Sequence, residues 1–197
     1  MLPGEELPLR IFEPRYTELV RHCLAAAEPV FGVVLIAAGR EVGGGDRRSD
    51  IGALARIVEC DGVGGGRYRL KCLMTERIRV RQWLEDDPYP RALIEPWPDE
   101  AAESANASEV DALEDRIVGL FERIAAARGV ALPGRDELLG PDQPTTGERL
   151  YALASRVPMG QADRYSVLAA PTLPARLGAL SEAVATVTAM VEFQLSE

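Results

Sequence analysis

The apolar residues of this 197-residue chain change their spacing once, near residue 98. Before it, with one helical stretch at 14–24 interrupting, they alternate or gather in short runs, as in strands; after it they recur every three to four residues, as in helices. The predicted division is a β-rich part at 1–97, a polar linker at 98–107 (PDEAAESANA) and a helical part at 108–197. The expected class is α+β, a sheet carrying one helix and then a helical bundle.

In the first part, Leu7, Leu9 and Ile11 alternate and share one sheet face, while Phe12 faces the other way or caps the helix start. A helix begins at Glu13-Pro14, since proline is preorganised for the first helical position. Tyr16, Leu19, Val20, Cys23 and Leu24 fall on its apolar face, and Arg15, Glu18, Arg21 and His22 on the other. Val30–Ile36 reads as a buried strand, Gly43–Asp50 as a flexible loop, Ile51–Cys60 as a strand and Gly62–Gly66 as a turn. Arg67–Leu73 and Arg77–Leu84 read as a hairpin, and Arg91–Trp97 as a further strand with Pro90 and Pro96 at its ends.

In the second part, Ser108 and Asp111 fit a capping box that opens a helix over 108–128. Residues 129–144 are expected to be loop, a lid or a tether, and helices follow at 145–157, 161–169 and 174–195. Leu173, Leu177, Leu180, Val184, Val187 and Val191 form a heptad seam, too short for a free coiled coil and suited to a bundle interior.

The net charge is -9. Residues 1–97 carry 14 basic against 15 acidic groups, and residues 98–197 carry 8 against 16, so the acidity belongs to the second part. This balance disfavours general nucleic-acid or anionic-membrane binding. Cys23, Cys60 and Cys72 are odd in number and widely spaced, which points to a reducing cytoplasm and away from a disulfide framework or metal knuckle. No secretory leader and no membrane-length apolar run is read in the sequence, and no cofactor motif.

Arg67, Arg69, Lys71, Arg77, Arg79 and Arg81 are the candidate basic face. In a hairpin all six would share one side, where like charges repel, so Glu59 and Glu95 on flanking strands are expected alongside. Such a face is first of all a solvated outer face with local ion pairs; it could also receive acidic peptide, dock on the acidic helical part or, less readily for want of aromatic platforms, bind nucleic acid. Catalysis is not expected. The lone His22 and its neighbour Cys23 sit about 100° apart on a helix, and no P-loop or Ser-Lys arrangement is present.

The segments LPGEELPLRIFEPRYTELVRHCL (2–24), FGVVLI (31–36), EVG (41–43), IGALARIV (51–58) and GRYRL (66–70), in this order, resemble the N-terminal substrate-binding domain of Lon ATP-dependent proteases, and more closely the free-standing bacterial proteins made of that domain alone. The resemblance implies a twisted, PUA-like pseudo-barrel with one helix ahead of a helical bundle. It implies a non-catalytic module that binds unfolded or damaged polypeptide. An adaptor for a separate AAA+ protease or chaperone, and a PUA-like small-ligand or RNA binder, are the alternatives. The junction Pro3, Gly4, Glu13, Pro14 and Arg15 carries the family motif, with a structural role taking precedence. The peptide-binding candidates are Leu9, Phe12, Tyr16, Tyr68, Trp83 and Tyr89, each competing with a role in core packing. Two departures stand out: the family's FPL-type strand ahead of the LPG turn is not seen, either because the start codon is called late or because this member lacks it, and in both cases a neighbouring strand would be left with an open edge. The other is that Leu73-Met74-Thr75, not a glycine, precedes Glu76–Val80.

Overall fold

A computed structural model describes residues 1–38, 47–100 and 105–195. The chain divides into two compact units, Met1–Pro98 and Asp99–Glu197.

The first unit holds β1 (Glu6–Ile11), α1 (Pro14–Ala25), β2 (Val30–Ala38), β3 (Arg47–Gly64), β4 (Arg67–Trp83) and β5 (Ala92–Pro96). The sheet is antiparallel in the order β1-β4-β3-β2, with β5 also on β4. β4 is its hub: β3 runs along one edge, while β1 and then β5 share the other. Ala53, Ala55, Ile57, Leu70, Cys72 and Met74 line the core face, and α1 lays Val20 and Cys23 against it. Leu7, Leu9 and Ile11 close the core from β1, as their alternation requires, and Phe31 and Val33 close it from β2.

The expected hairpin is one continuous strand, because residues 73–77 make a bulge in place of a turn. Ala55 stands opposite Met74 and Ala53 opposite Arg77, so β4 carries one extra residue there. Thr75 Oγ1 donates to the Leu54 carbonyl at 3.3 Å and holds the irregularity in the sheet. The extra residue reverses the side-chain alternation beyond it.

Other expectations need correction. Gly43–Asp46 of the expected loop lie outside the described residues, but Arg47–Asp50 belong to β3. The turn is confined to the end of the expected stretch. Gly64, Gly65 and Gly66 all take positive φ (83°, 62° and 71°), a conformation open to glycine without strain. On α1 the buried face is Thr17, Val20 and Cys23. Leu24, expected inside, lies in the last turn of α1 and is exposed.

The second unit holds α2 (Ala107–Arg128), α3 (Arg135–Leu139), α4 (Thr146–Arg156), α5 (Gln161–Ala169) and α6 (Leu173–Leu195). The cap of α2 is Asn106, whose side chain accepts from the Ser108 amide at 3.1 Å, in place of the expected Ser108. The expected 129–144 loop contains α3. A capping box of Thr145 and Glu148 opens α4. α6 packs on α2, α4 and α5 through Leu177, Leu180, Val184 and Val187, the centre of the heptad seam. Residues 101–104 of the expected linker lie outside the described residues, and Ala107 is already helical.

Candidate functional site

The motif junction is a helix start. Glu13 is the extended residue before α1, Pro14 opens the helix, and the Arg15 Nε donates to the Glu13 carboxylate at 3.0 Å. The pair closes on itself at the junction. The Gly4 amide donates to the Met74 carbonyl at 2.9 Å, so the Pro3-Gly4 turn fastens the chain start to β4.

Downstream of the junction, α1 gathers three of the predicted aromatic residues. The Arg15 guanidinium lies 4.5 Å from the Tyr16 ring centre. Tyr68 stands opposite Ile11 and packs on the core cluster, while its hydroxyl reaches Arg21. That hydrogen bond, together with Glu18, raises the Arg21 pKa further. His22 Nδ1 and the Tyr89 hydroxyl are 2.7 Å apart, with their rings edge to face at 5.7 Å. Tyr89 belongs to the 84–91 loop, which is closed by a Leu84 amide bond to the Arg91 carbonyl (2.9 Å). At its start, Arg48 stacks on Trp83 at 5.0 Å and pairs with Asp86 at 3.2 Å.

The six candidates therefore separate. Tyr16, Tyr68 and Tyr89 surround α1, Trp83 sits at the root of the Tyr89 loop, and Phe12 points outward at 70% exposure. Leu9 is half-buried against the core and opposite Leu70. Sequence reasoning missed Arg21, His22 and Arg48 as the polar partners of these rings. The i, i+4 spacing of Thr17 and Arg21 marks one side of α1, but only the tertiary fold brings Tyr68 to it. It also missed the exposed Val58 and Val63, which stand at register shifts in β3, and Leu93 and Ile94 on β5.

The basic face does not form. Because of the bulge, Arg67, Arg69 and Lys71 lie on one side of β4, while Arg77, Arg79 and Arg81 lie on the side of Met74. On the first side the register sets Asp61 opposite Arg69, and Lys71 pairs with Glu6 (3.1 Å) and Glu59 (3.9 Å). On the second, Arg81 pairs with Glu95 at 2.6 Å, and Arg77 and Arg79 both stack on the Trp97 ring, at 4.4 and 4.6 Å. Glu59 and Glu95 stand where the sequence placed counter-charges.

The thiols are poor nucleophiles. Burial raises the pKa of Cys23 and of Cys60; it pushes Cys72 up to about 11, aided by the two neighbouring cysteines. Cys23 Sγ donates inward to the Val30 carbonyl at 3.3 Å, away from the exposed His22. Among the described residues no cluster of three or more His, Cys, Asp or Glu could hold a metal. No described helix is long and apolar enough to cross a membrane.

An antiparallel sheet crossed by one helix and followed by packed helices defines the class: it is the architecture of Lon N-terminal domains. Residues 1–186 match the ATP-dependent protease La (LON) substrate-binding domain, and the chain belongs to that family. It is similar to the crystal structure of a Lon N-terminal domain protein from Xanthomonas campestris, at 25% identity over 91% of this chain and 90% of that one, with a TM-score of 0.59. The N-terminal domain of Mycobacterium avium complex Lon protease shares the fold at 15% identity, 93% and 91% coverage and a TM-score of 0.60.

Proposed function

We propose that this chain is a non-catalytic module that recognises unfolded or damaged polypeptides. The observation that carries the reading is the match of residues 1–186 to a substrate-binding domain. The exposed apolar side chains of the first unit support it: Phe12, Val58, Val63, Leu93 and Ile94 offer contact area to apolar segments that folded proteins keep inside. Phe12, Tyr16, Tyr68, Tyr89 and Trp83 are the proposed contact residues, and Leu9 supports them from the core. Three free, poorly ionised cysteines suit a reducing cytoplasm. The experiment compares fluorescence anisotropy of labelled α-lactalbumin in its native form and after reduction and carboxymethylation. Binding of the unfolded form alone is expected; equal binding of both, or of neither, sinks the reading.

A second reading, an adaptor that hands clients to a AAA+ protease or chaperone, draws support from the far end of α6. There Met190, Phe193 and Leu195 are all more than half exposed. Co-purification of one stoichiometric AAA+ protein, lost on Phe193→Glu, would favour it. The RNA-binding alternative loses its main support with the separation of the six cations.

A further inference from the structure

We propose that Arg10, Arg67 and Arg69 form a carboxylate-binding cluster on the outer face of the sheet, and that its ligand is an extended segment of an unfolded polypeptide carrying acidic residues beside an apolar one. The inference rests on the polypeptide-binding reading and names the class of segment bound.

Strand register sets the cluster. Leu9 and Ile11 of β1 and Leu70 and Cys72 of β4 face the core, so by alternation Arg10, Arg67 and Arg69 face away from it. Arg10 stands directly opposite Arg69, a position that holds two Cβ atoms about 5 Å apart. Arg67 is the next outward residue of β4, about 7 Å along the strand, and its partner on β3 is Gly64, which offers no side chain. All three arginines are exposed, and among the described residues none of them is engaged in an ion pair. Asp61, opposite Arg69, is the one carboxylate that the register brings to these two rows.

Like charges set directly opposite each other disfavour a sheet. Core packing does not call for them here, since both side chains are in solvent. Lys71, one step further along β4, has the balanced arrangement: Glu6 and Glu59 stand 3.1 and 3.9 Å from its ammonium. The excess of positive charge is therefore confined to the Arg69 and Arg67 rows. Apolar side chains border it at the end away from Lys71. Phe12, two residues beyond Arg10, is 70% exposed, and Val63, the extra residue where β3 shifts register between Gly62 and Gly64, is 54% exposed.

These borders identify the ligand. Alternate side chains of an extended segment lie about 7 Å apart on one side, the step from Arg69 to Arg67. Two carboxylates so placed reach both rows, and a guanidinium takes a carboxylate through two parallel N–H donors. An apolar residue next to them meets Phe12 and Val63. A nucleic-acid strand would carry its phosphates onward over Glu6 and Glu59, whereas a peptide needs charge only at the two rows. A second copy offers the combination less well. On its α6 the exposed Met190 and Phe193 flank Glu192, whose carboxylate already pairs with Arg123.

Fluorescence anisotropy with two labelled peptides, Leu-Ser-Glu-Ser-Glu-Ser and the same sequence with Gln for both Glu, tests the cluster. Wild-type protein is expected to bind the Glu peptide about fivefold more tightly or better, and the advantage should shrink as salt rises. Arg10→Gln and Arg69→Gln should each remove most of that preference without lowering the urea midpoint, because each relieves a like-charge contact. Arg81→Gln, on the opposite side of β4, should keep it. Asp61→Asn should tighten the Glu peptide about twofold or more, a gain that misfolding cannot produce. If the wild type binds reduced, carboxymethylated α-lactalbumin but shows no preference between the peptides, or if Arg10→Gln and Arg69→Gln keep the preference, the cluster proposal is overturned and the polypeptide-binding reading stands. Failure to bind α-lactalbumin and both peptides overturns both. Displacement of the Glu peptide by single-stranded oligouridylate at a lower concentration than by unlabelled Glu peptide gives the cluster to nucleic acid. Self-association abolished by Arg69→Gln gives it to a second copy, and either result overturns the proposal.

Discussion

Thr17 Oγ1 donates to the Gly66 carbonyl at 2.7 Å, joining α1 to the turn between β3 and β4. The turn is made of glycines at positive φ and has no side chains to anchor it. This one bond therefore fixes the side of α1 that Arg21 and Tyr68 share. Thr17→Val keeps the shape and removes the donor from a buried position. The expected cost is about 1 kcal/mol, read by urea denaturation, with faster amide exchange in the turn. An unchanged midpoint and unchanged exchange would show that the turn is held by something else.

Arg77 and Arg81 share one side of β4 but differ in burial and partner. Arg77 is 6% exposed and stacks on Trp97, while the Arg81 side chain is 59% exposed and pairs with Glu95. Arg77→Ala removes a packed stem and a desolvated cation–π contact and should cost about 2 kcal/mol or more. Arg81→Ala should cost below about 1 kcal/mol. Equal costs in chemical denaturation would mean that Arg77 is not packed against Trp97 as the structure has it.

The bulge in β4 marks the limit of what the sequence made legible. Alternation at Leu7, Leu9 and Ile11, the proline at the start of α1 and the seam of α6 are local patterns; each gave its element the correct type, and in β1 and α6 the inward face, whereas on α1 the pattern placed Leu24 inside and left out Thr17. The stretch LKCLMTERIRV contains no glycine or proline, yet reads as a turn if both flanks are forced to keep one alternation. A one-residue bulge satisfies both flanks without a turn, and only pairing with Ala53 and Ala55 reveals it. The candidate site was legible in part for the same reason. Its aromatic residues are visible in the chain, but their partners Arg21, His22 and Arg48 come from other elements through the tertiary fold.

Cys72 provides a pH test of the core. Its thiol ionises near the ordinary value of 9.0 when unfolded and near 11 when folded, because burial and the neighbouring thiols disfavour the thiolate. The folded pKa is the higher one, so this contribution to stability is complete below pH 9 and is lost as pH rises toward 11. The loss should reach about 2 kcal/mol, seen as a falling urea midpoint across that window, and Cys72→Ala should flatten it. Below pH 8 the thiol should resist alkylation by iodoacetamide in native protein and react promptly in urea. A flat profile in wild type would mean that the thiol is not shielded as the structure has it.

In the helical unit, Arg176 of α6 is 1% exposed and is held on two sides. Its guanidinium lies 4.0 Å from the Tyr151 ring centre, and both of its terminal nitrogens donate to the Asp99 carboxylate, one of them at 3.1 Å. Gly147 fits against the pair, since a Cβ there would lie 3.1 Å from each partner. Removing the carboxylate strands a buried cation, whereas removing the cation frees a carboxylate that already has solvent contact. Asp99→Ala should therefore cost about 2 kcal/mol, somewhat below the figure for a fully enclosed pair. Arg176→Met, which keeps the volume over Tyr151, should cost less. The double variant should resemble Arg176→Met alone, because the penalty of Asp99→Ala exists only while the cation is there. Urea denaturation of the full chain and its three variants measures the cycle. Additive costs would show that the two residues do not depend on each other, and the ion pair would then be incidental to the packing of α6.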